Sequence, residues 1–225
     1  MEFKFSIRNA VREAWDLFKK HAWFFLALAA VTVVLNLLGG SESIPSVVIL
    51  VLMIATFIWS IVVMKISLAA ADGKEELLSF SKIQNILPNL KQILGMLGVA
   101  LLVGLFVICG LILLIIPGIW VAFRLSVANF VYLDKGEGVR KAVRASWNMT
   151  RGKVFWTAVL VALTAGLLYI VGLVFFGIGI LVTYPIAMIL MAKFYRALSN
   201  YHGNVQTVVP QPAEIVAPAA ETPAQ

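Results

Sequence analysis

Residues 139–156 read VRKAVRASWNMTRGKVFW. Basic side chains fill its first turns, a tryptophan follows, and the stretch runs into a charge-free apolar segment that begins at Val154. The same order occurs earlier in the chain. RNAVREAWDLFKKHAWFF starts at Arg8, and at an offset of 132 residues Arg8, Ala10, Val11, Arg12 and Trp15 recur as Arg140, Ala142, Val143, Arg144 and Trp147. Lys19 falls on Arg151, Trp23 on Phe155 and Phe24 on Trp156. Identities at matched distances from an apolar run mark an internal repeat, a common feature of membrane folds. A fainter copy, FSKIQNILPNLKQILGMLG from Phe80, begins as FSIRNAVREAW does at Phe5 but lacks the tryptophan and the arginines.

Each copy reads as an amphipathic helix leading into a membrane hairpin. In the first, Ile7, Ala10, Val11, Ala14, Trp15 and Phe18 recur at helical spacing, while Arg8, Arg12, Glu13, Asp16 and Lys19 face elsewhere. In the third, Val139, Ala142, Val143 and Trp147 make the apolar face, with Arg140, Lys141, Arg144 and Asn148 opposite. Such helices lie in the headgroup plane with tryptophan at the boundary. Their basic side chains attract anionic lipid at about 1 kcal/mol each.

Composition agrees. The chain is 61% hydrophobic and 13% charged over 225 residues, with a mean hydropathy of +0.97. Soluble domains run near ~45–50% apolar and ~25% charged, so a polytopic membrane protein is expected. Charge-free runs give candidate spans at Ala22–Leu38, Ile44–Met64, Ile93–Ile116, Val154–Val171 and Val174–Ala192. A further span, Pro117–Leu133, carries Arg124 and is needed to keep Lys91 and the Arg140–Lys153 cluster on one side. The connections GGSESIPS, IIPGIW and GLVFFGIG hold none of the 18 Lys and Arg residues. That asymmetry predicts that both termini lie on the cytoplasmic side of the membrane. The net charge of +7 is then a topological signal, and a nucleic-acid partner is not expected. The mixed-charge N-terminus is not a signal peptide, so the first span should be retained. The lone cysteine, Cys109, excludes a disulfide within the chain and reads as a small packing residue.

The expected fold is all-α: six membrane helices in three hairpin repeats, about 5–72, 80–134 and 137–200, each preceded by a cytoplasmic-face amphipathic helix. They form a membrane domain over residues 1–202. The Pro/Ala-rich stretch 203–225 has no Lys or Arg and reads as a disordered cytoplasmic tail. Close packing is expected along Ala158, Ala162 and Gly166 and along Ala100 and Gly104. Pro185 suggests a kink in the last span.

No Asp, Glu or His falls inside the expected spans, and no cofactor, metal or catalytic constellation is visible. TRGK at Thr150–Lys153 lacks the rest of a phosphate-binding loop. Glu13 and Asp16 read as balancing Arg8, Arg12 and Lys20. Three bases sit inside the returning helices: Lys65, Arg124 and Lys193. Two to three turns from a helix end, they are placed to snorkel toward the inner headgroups. Arg124 is the best placed of them for a conducting or substrate role. Candidate contacts to lipid headgroups or a partner are Arg8, Arg12, Trp15, Arg140, Lys141, Arg144, Trp147, Arg151 and Lys153. The first functional reading is a non-enzymatic membrane protein that engages anionic lipid or scaffolds a membrane partner, a second copy included. A small transporter, motivated by the repeats and Arg124, is the alternative.

Pro117-Gly118 opening a helix, the acidic-Gly connection at Asp134 and Gly136, then Ser146, Trp147, Thr150 and Gly152 in an A-x-x-S-W-x-x-T-x-G pattern form a recognisable arrangement. Val143 stands where the pattern has Ala. This arrangement resembles the multi-pass membrane domain of glycerophosphoryl diester phosphodiesterases and the stand-alone bacterial inner-membrane proteins grouped with it. The resemblance covers the second half of the chain, and the first half through the repeat. It implies an α-helical membrane bundle. It carries no activity over, because the soluble phosphodiesterase domain has no counterpart in these 225 residues.

Overall fold

The structure is a computed structural model that describes residues 3, 5–39, 45–152, 154–174 and 179–208. Among these residues every regular element is helical. In chain order they are α1 (Ile7–Lys20), α2 (Ala22–Gly39), α3 (Ser46–Ala71), short 3-10 turns at Glu75–Leu77 and Phe80–Ile86, α4 (Leu90–Leu113), α5 (Ile115–Arg124), α6 (Ala128–Lys135), α7 (Val139–Met149), α8 (Val154–Val174) and α9 (Ile180–Val208). Six segments are long and apolar enough to cross a membrane: α2, α3, α4, α5 with α6, α8, and α9 through Gly203. The most apolar window of α4 is only 11% buried, and Leu101, Leu105, Ile108 and Ile112 point outward from it. An outward apolar face of this extent requires lipid rather than water around it. Cys109 lies on that exposed side of α4 and not in the packing.

Several hydroxyls inside the spans are satisfied by their own helices, whereas the buried Ser126 hydroxyl, at the break in the fourth span, has no partner among the described residues. Thr32, Thr56, Ser67 and Thr164 each donate to the carbonyl four residues back, at 2.8–3.0 Å, which removes the cost of an unpaired polar group in hydrocarbon.

Close approach is carried by glycines other than those in the expected small-residue rows. A Cβ added at Gly104 or Gly166 would meet nothing within 4 Å, and Ala100 is exposed; only Ala158 of these rows is buried. At the turn between α4 and α5, by contrast, a Cβ on Gly110 would lie 2.8 Å from the Gly118 Cα. Gly172 and Gly179 approach each other in the same way where α8 and α9 meet, 2.7 Å from the position of a Cβ on Gly179 to the Gly172 carbonyl. The turn between α4 and α5 is a single extended residue, Leu114, so Pro117 falls in the first turn of α5, where its missing N–H costs nothing.

Three other expectations are corrected. The stretch at Phe80 is a 3-10 segment and not an amphipathic α-helix. Pro88 lacks a donor and holds Leu87 extended, which ends the segment at Ile86 and prevents it from running on into α4, and Asn89 then caps α4 with Gln92. The fourth span is interrupted directly after Arg124, between α5 and α6. The last helix continues to Val208, beyond the expected boundary at 203, and passes through Pro185; the rest of the expected tail lies outside the described residues.

α9 is the hub of the bundle. It packs on α8, α3, α1 and α2, and Ile189, Leu190, Phe194, Tyr195 and Leu198 along it are fully buried. Phe3 and Phe5, ahead of α1, fold back on it, with rings 5.4 Å from Tyr201 and 5.5 Å from Phe194.

Candidate functional site

The end of the bundle that carries α1 and α7 holds nearly all the charged chemistry. α1 buries Ala10, Ala14 and Phe18, and α7 buries Ala142, Val143, Ser146 and Met149. Arg8, Arg12, Arg140, Lys141, Arg144 and Arg151 are exposed. Trp15, expected on the apolar face, is 43% exposed; it stacks on Phe18 at 5.9 Å, and Lys19 sits over its ring at 5.9 Å. Trp147 is half-buried. Lys153 lies outside the described residues. The two helices do not form one joint patch: α1 packs chiefly on α9, and α7 on α6 and α4.

The three bases inside the spans do not extend freely to solvent. Each holds a neighbouring segment. The Lys65 ammonium donates to the Ile86 carbonyl at 3.1 Å, closing the 3-10 segment against α3. Lys193 pairs with Glu13 and so ties α9 to α1. Arg124 is 8% exposed. Its guanidinium lies between two indoles, 4.5 Å from the Trp120 ring and 4.8 Å from that of Trp147, and donates to the Trp147 carbonyl at 3.3 Å. Cation–π contact of this kind is strong where water is excluded.

The backbone at Arg124 explains the S-W-x-x-T-x-G stretch. Because the fourth span breaks there, the Arg124 carbonyl is taken up by side chains: the Ser146 hydroxyl donates to it at 3.0 Å, and the Thr150 hydroxyl shares its proton between it, at 2.9 Å, and the Ser146 carbonyl, at 2.8 Å. Both hydroxyls are completely buried. Gly152 follows with φ +74, a conformation open to glycine, and turns the chain from α7 into α8. The motif is therefore a clasp between the broken span and α7.

A second polar centre joins the ends of α3 and α6 to the middle of α9 and was not singled out from sequence. Arg196 of α9 places Nε 2.5 Å from Oδ1 of Asp72 and donates from Nη2 to its Oδ2 at 2.7 Å. Its Nη1 donates to Asp134 at the end of α6 at 2.6 Å, and the Tyr195 hydroxyl donates to the other Asp134 oxygen at 2.6 Å. The sequence signal was present: ADGK at Ala71–Lys74 and LDKG at Leu133–Gly136 each put an aspartate at the exit of a returning helix.

Among the described residues the remaining acids except Glu137 are also engaged, though not as expected. Glu13 pairs with Lys193 rather than an α1 neighbour, Asp16 with Lys19, Glu75 with Lys20, and Glu76 with Lys82. The Lys20 hydrogen bond pulls the Glu75 carboxyl below its ordinary value, and the charges of Lys20 and His21 add to the effect. Among the described residues no group of His, Cys, Asp and Glu is placed to hold a metal ion.

Two cavities bear on function. One of about 430 Å³ is lined by Leu102 and Phe106 of α4, Val121 and Leu125 around the broken span, and Arg140, Val143, Arg144 and Trp147 of α7. This revises the face assigned to the arginines, which flank the Val143–Trp147 line and do not oppose it. The other, about 400 Å³, lies toward the opposite end between α2, α3, α8 and α9, and is lined by Thr32, Asn36, Thr56, Trp59, Ser60 and Tyr184 among others. Comparison with family models, with curated proteins and with solved structures finds no match for this chain.

Proposed function

We propose that this is a non-enzymatic, multi-pass protein of the bacterial cytoplasmic membrane, built from repeated hairpins, whose amphipathic helices α1 and α7 engage anionic lipid at the inner face. One observation carries the reading. Among the described residues the acids at that end are consumed by internal pairs, Glu137 excepted, whereas Arg8, Arg12, Arg140, Lys141, Arg144 and Arg151 are exposed and make no ion pair. The surface left over is basic, and such a surface attracts anionic headgroups at about 1 kcal/mol per charge. Both termini are cytoplasmic in this reading, in line with the distribution of Lys and Arg.

The test is lipid selectivity of the protein in nanodiscs that mix phosphatidylglycerol with phosphatidylcholine. Replacing Arg140, Lys141 and Arg144 by Gln should lower the enrichment of the anionic lipid around the protein. Unchanged enrichment would overturn the proposal.

A second reading, a small permease, draws on the polar-lined cavity between α2, α3, α8 and α9. Solute flux in proteoliposomes that is lost on Asn36→Leu would favour it over the first.

A further inference from the structure

We infer that the cavity between α4, the broken fourth span and α7 is a binding site for one anionic phospholipid, its phosphate held by Arg140 and Arg144 and an acyl chain laid along Leu102 and Phe106. The inference rests on the lipid-facing reading above and narrows it from a diffuse surface to a defined site.

The cavity combines two chemistries that match the two ends of a lipid. Arg140, Val143, Arg144 and Trp147 recur at i, i+3, i+4 and i+7, so one line of α7 contributes both arginines and an apolar strip to the same wall. Leu102 and Phe106 lie one turn apart on α4, a stripe rising about 6 Å along the span. Neither arginine has an ion pair or a hydrogen bond among the described residues, and no acid lines the cavity. Two guanidinium forks on adjacent turns suit a phosphate diester, whose oxygens they can grip together. A third positive charge stands behind the wall, since Trp147 also stacks on Arg124 at 4.8 Å. The volume, about 430 Å³, falls within the usual range for small-molecule sites. No Lys or Arg lines the polar cavity at the other end, so the match of charge and apolar groove belongs to this place.

Native mass spectrometry of the full-length protein tests the site, with phosphatidylglycerol and phosphatidylcholine titrated into detergent. One phosphatidylglycerol should be retained in preference to phosphatidylcholine. R140Q/R144Q should weaken its retention roughly 25-fold, about fivefold per charge. Leu102→Trp, which fills the groove and leaves both arginines in place, should also exclude it. R8Q/R12Q, on the other basic helix, should retain it as the parent does. Excess inorganic phosphate should not displace it; displacement would assign the arginines to a free anion and overturn the lipid site. Equal losses in R140Q/R144Q and R8Q/R12Q would also overturn the site while leaving a diffuse attraction intact. If anionic and zwitterionic lipids are retained equally and nanodisc enrichment is absent as well, the broader reading falls with it.

Discussion

Arg196 and Asp72, 124 residues apart, meet side by side, with guanidinium and carboxylate joined through two nitrogens and two oxygens. The remaining nitrogen of the same guanidinium reaches Asp134, so one side chain fastens the exits of α3 and α6 to α9. Arg196→Lys keeps the charge but cannot fork to both carboxylates. Both Arg196 and Asp72 keep partial exposure, so the loss should be about 2 kcal/mol, below that of a fully buried pair. Unfolding in SDS checks this. In a double-mutant cycle, Arg196→Gln with Asp72→Asn should cost much less than the sum of the single changes; additivity would mean that the contact contributes nothing.

The Arg124 carbonyl has two donors, Ser146 and Thr150, and one is enough to satisfy it. Ser146→Ala or Thr150→Val alone should therefore cost about 1 kcal/mol or less. The pair together leaves a buried carbonyl bare and should cost about 1–3 kcal/mol, more than the two single losses combined. The same SDS titration reads it.

Gly95 lies under the Tyr132 ring, and a Cβ there would fall 1.6 Å from the hydroxyl oxygen and 2.1 Å from the ring carbon that bears it. Tyr132 is buried and donates to the Lys91 carbonyl, so it has little room to move. Gly95→Ala should lower the thermal unfolding temperature in detergent, while Gly104→Ala and Gly166→Ala, which meet open space, should leave it unchanged or raised. Equal effects at all three positions would contradict this packing.

The Lys20–Glu75 pair makes α1 sensitive to acid. The folded-state pKa of Glu75 is lowered, so its contribution is complete above the ordinary glutamate value, about 4.3. It disappears as pH falls through the lowered folded value. The stability gap between the parent and Glu75→Gln should hold at neutral pH and close in acid below that point. A gap that widened on acidification would reverse the sign of the linkage.

The spans were legible because hydropathy is a local property: five runs declare themselves without reference to their neighbours, and the fourth span, which carries Arg124, followed from the distribution of Lys and Arg around it. That residues 7–20 and 139–149 are helical was legible for the same reason, but spacing and charge did not sort their faces, since Trp15 is exposed and Arg140 and Arg144 flank the Val143–Trp147 line. What Lys65, Arg124 and Lys193 touch was not legible. Position relative to a helix end suggested headgroups, yet their partners come from the Ile86 carbonyl, the Trp120 and Trp147 rings, and Glu13. Those contacts depend on how hairpins pack, which a single sequence does not encode in any local pattern. The break after Arg124 was hidden likewise, because its compensation comes from hydroxyls more than twenty residues further on. At Phe80 the error was local: Pro88 was in view, and its effect on the residues before it outweighed the likeness to Phe5.

The pairing of Glu13 with Lys193 spans 180 residues and has a meaning in time. A chain synthesised from its N-terminus exposes α1 long before α9. Until α9 is in place, Glu13 and Phe5 lack the partners they finally hold, and the apolar side of α1 has α2 to rest on, through Phe18 and Phe25. α1 thus completes its contacts only when α9 arrives.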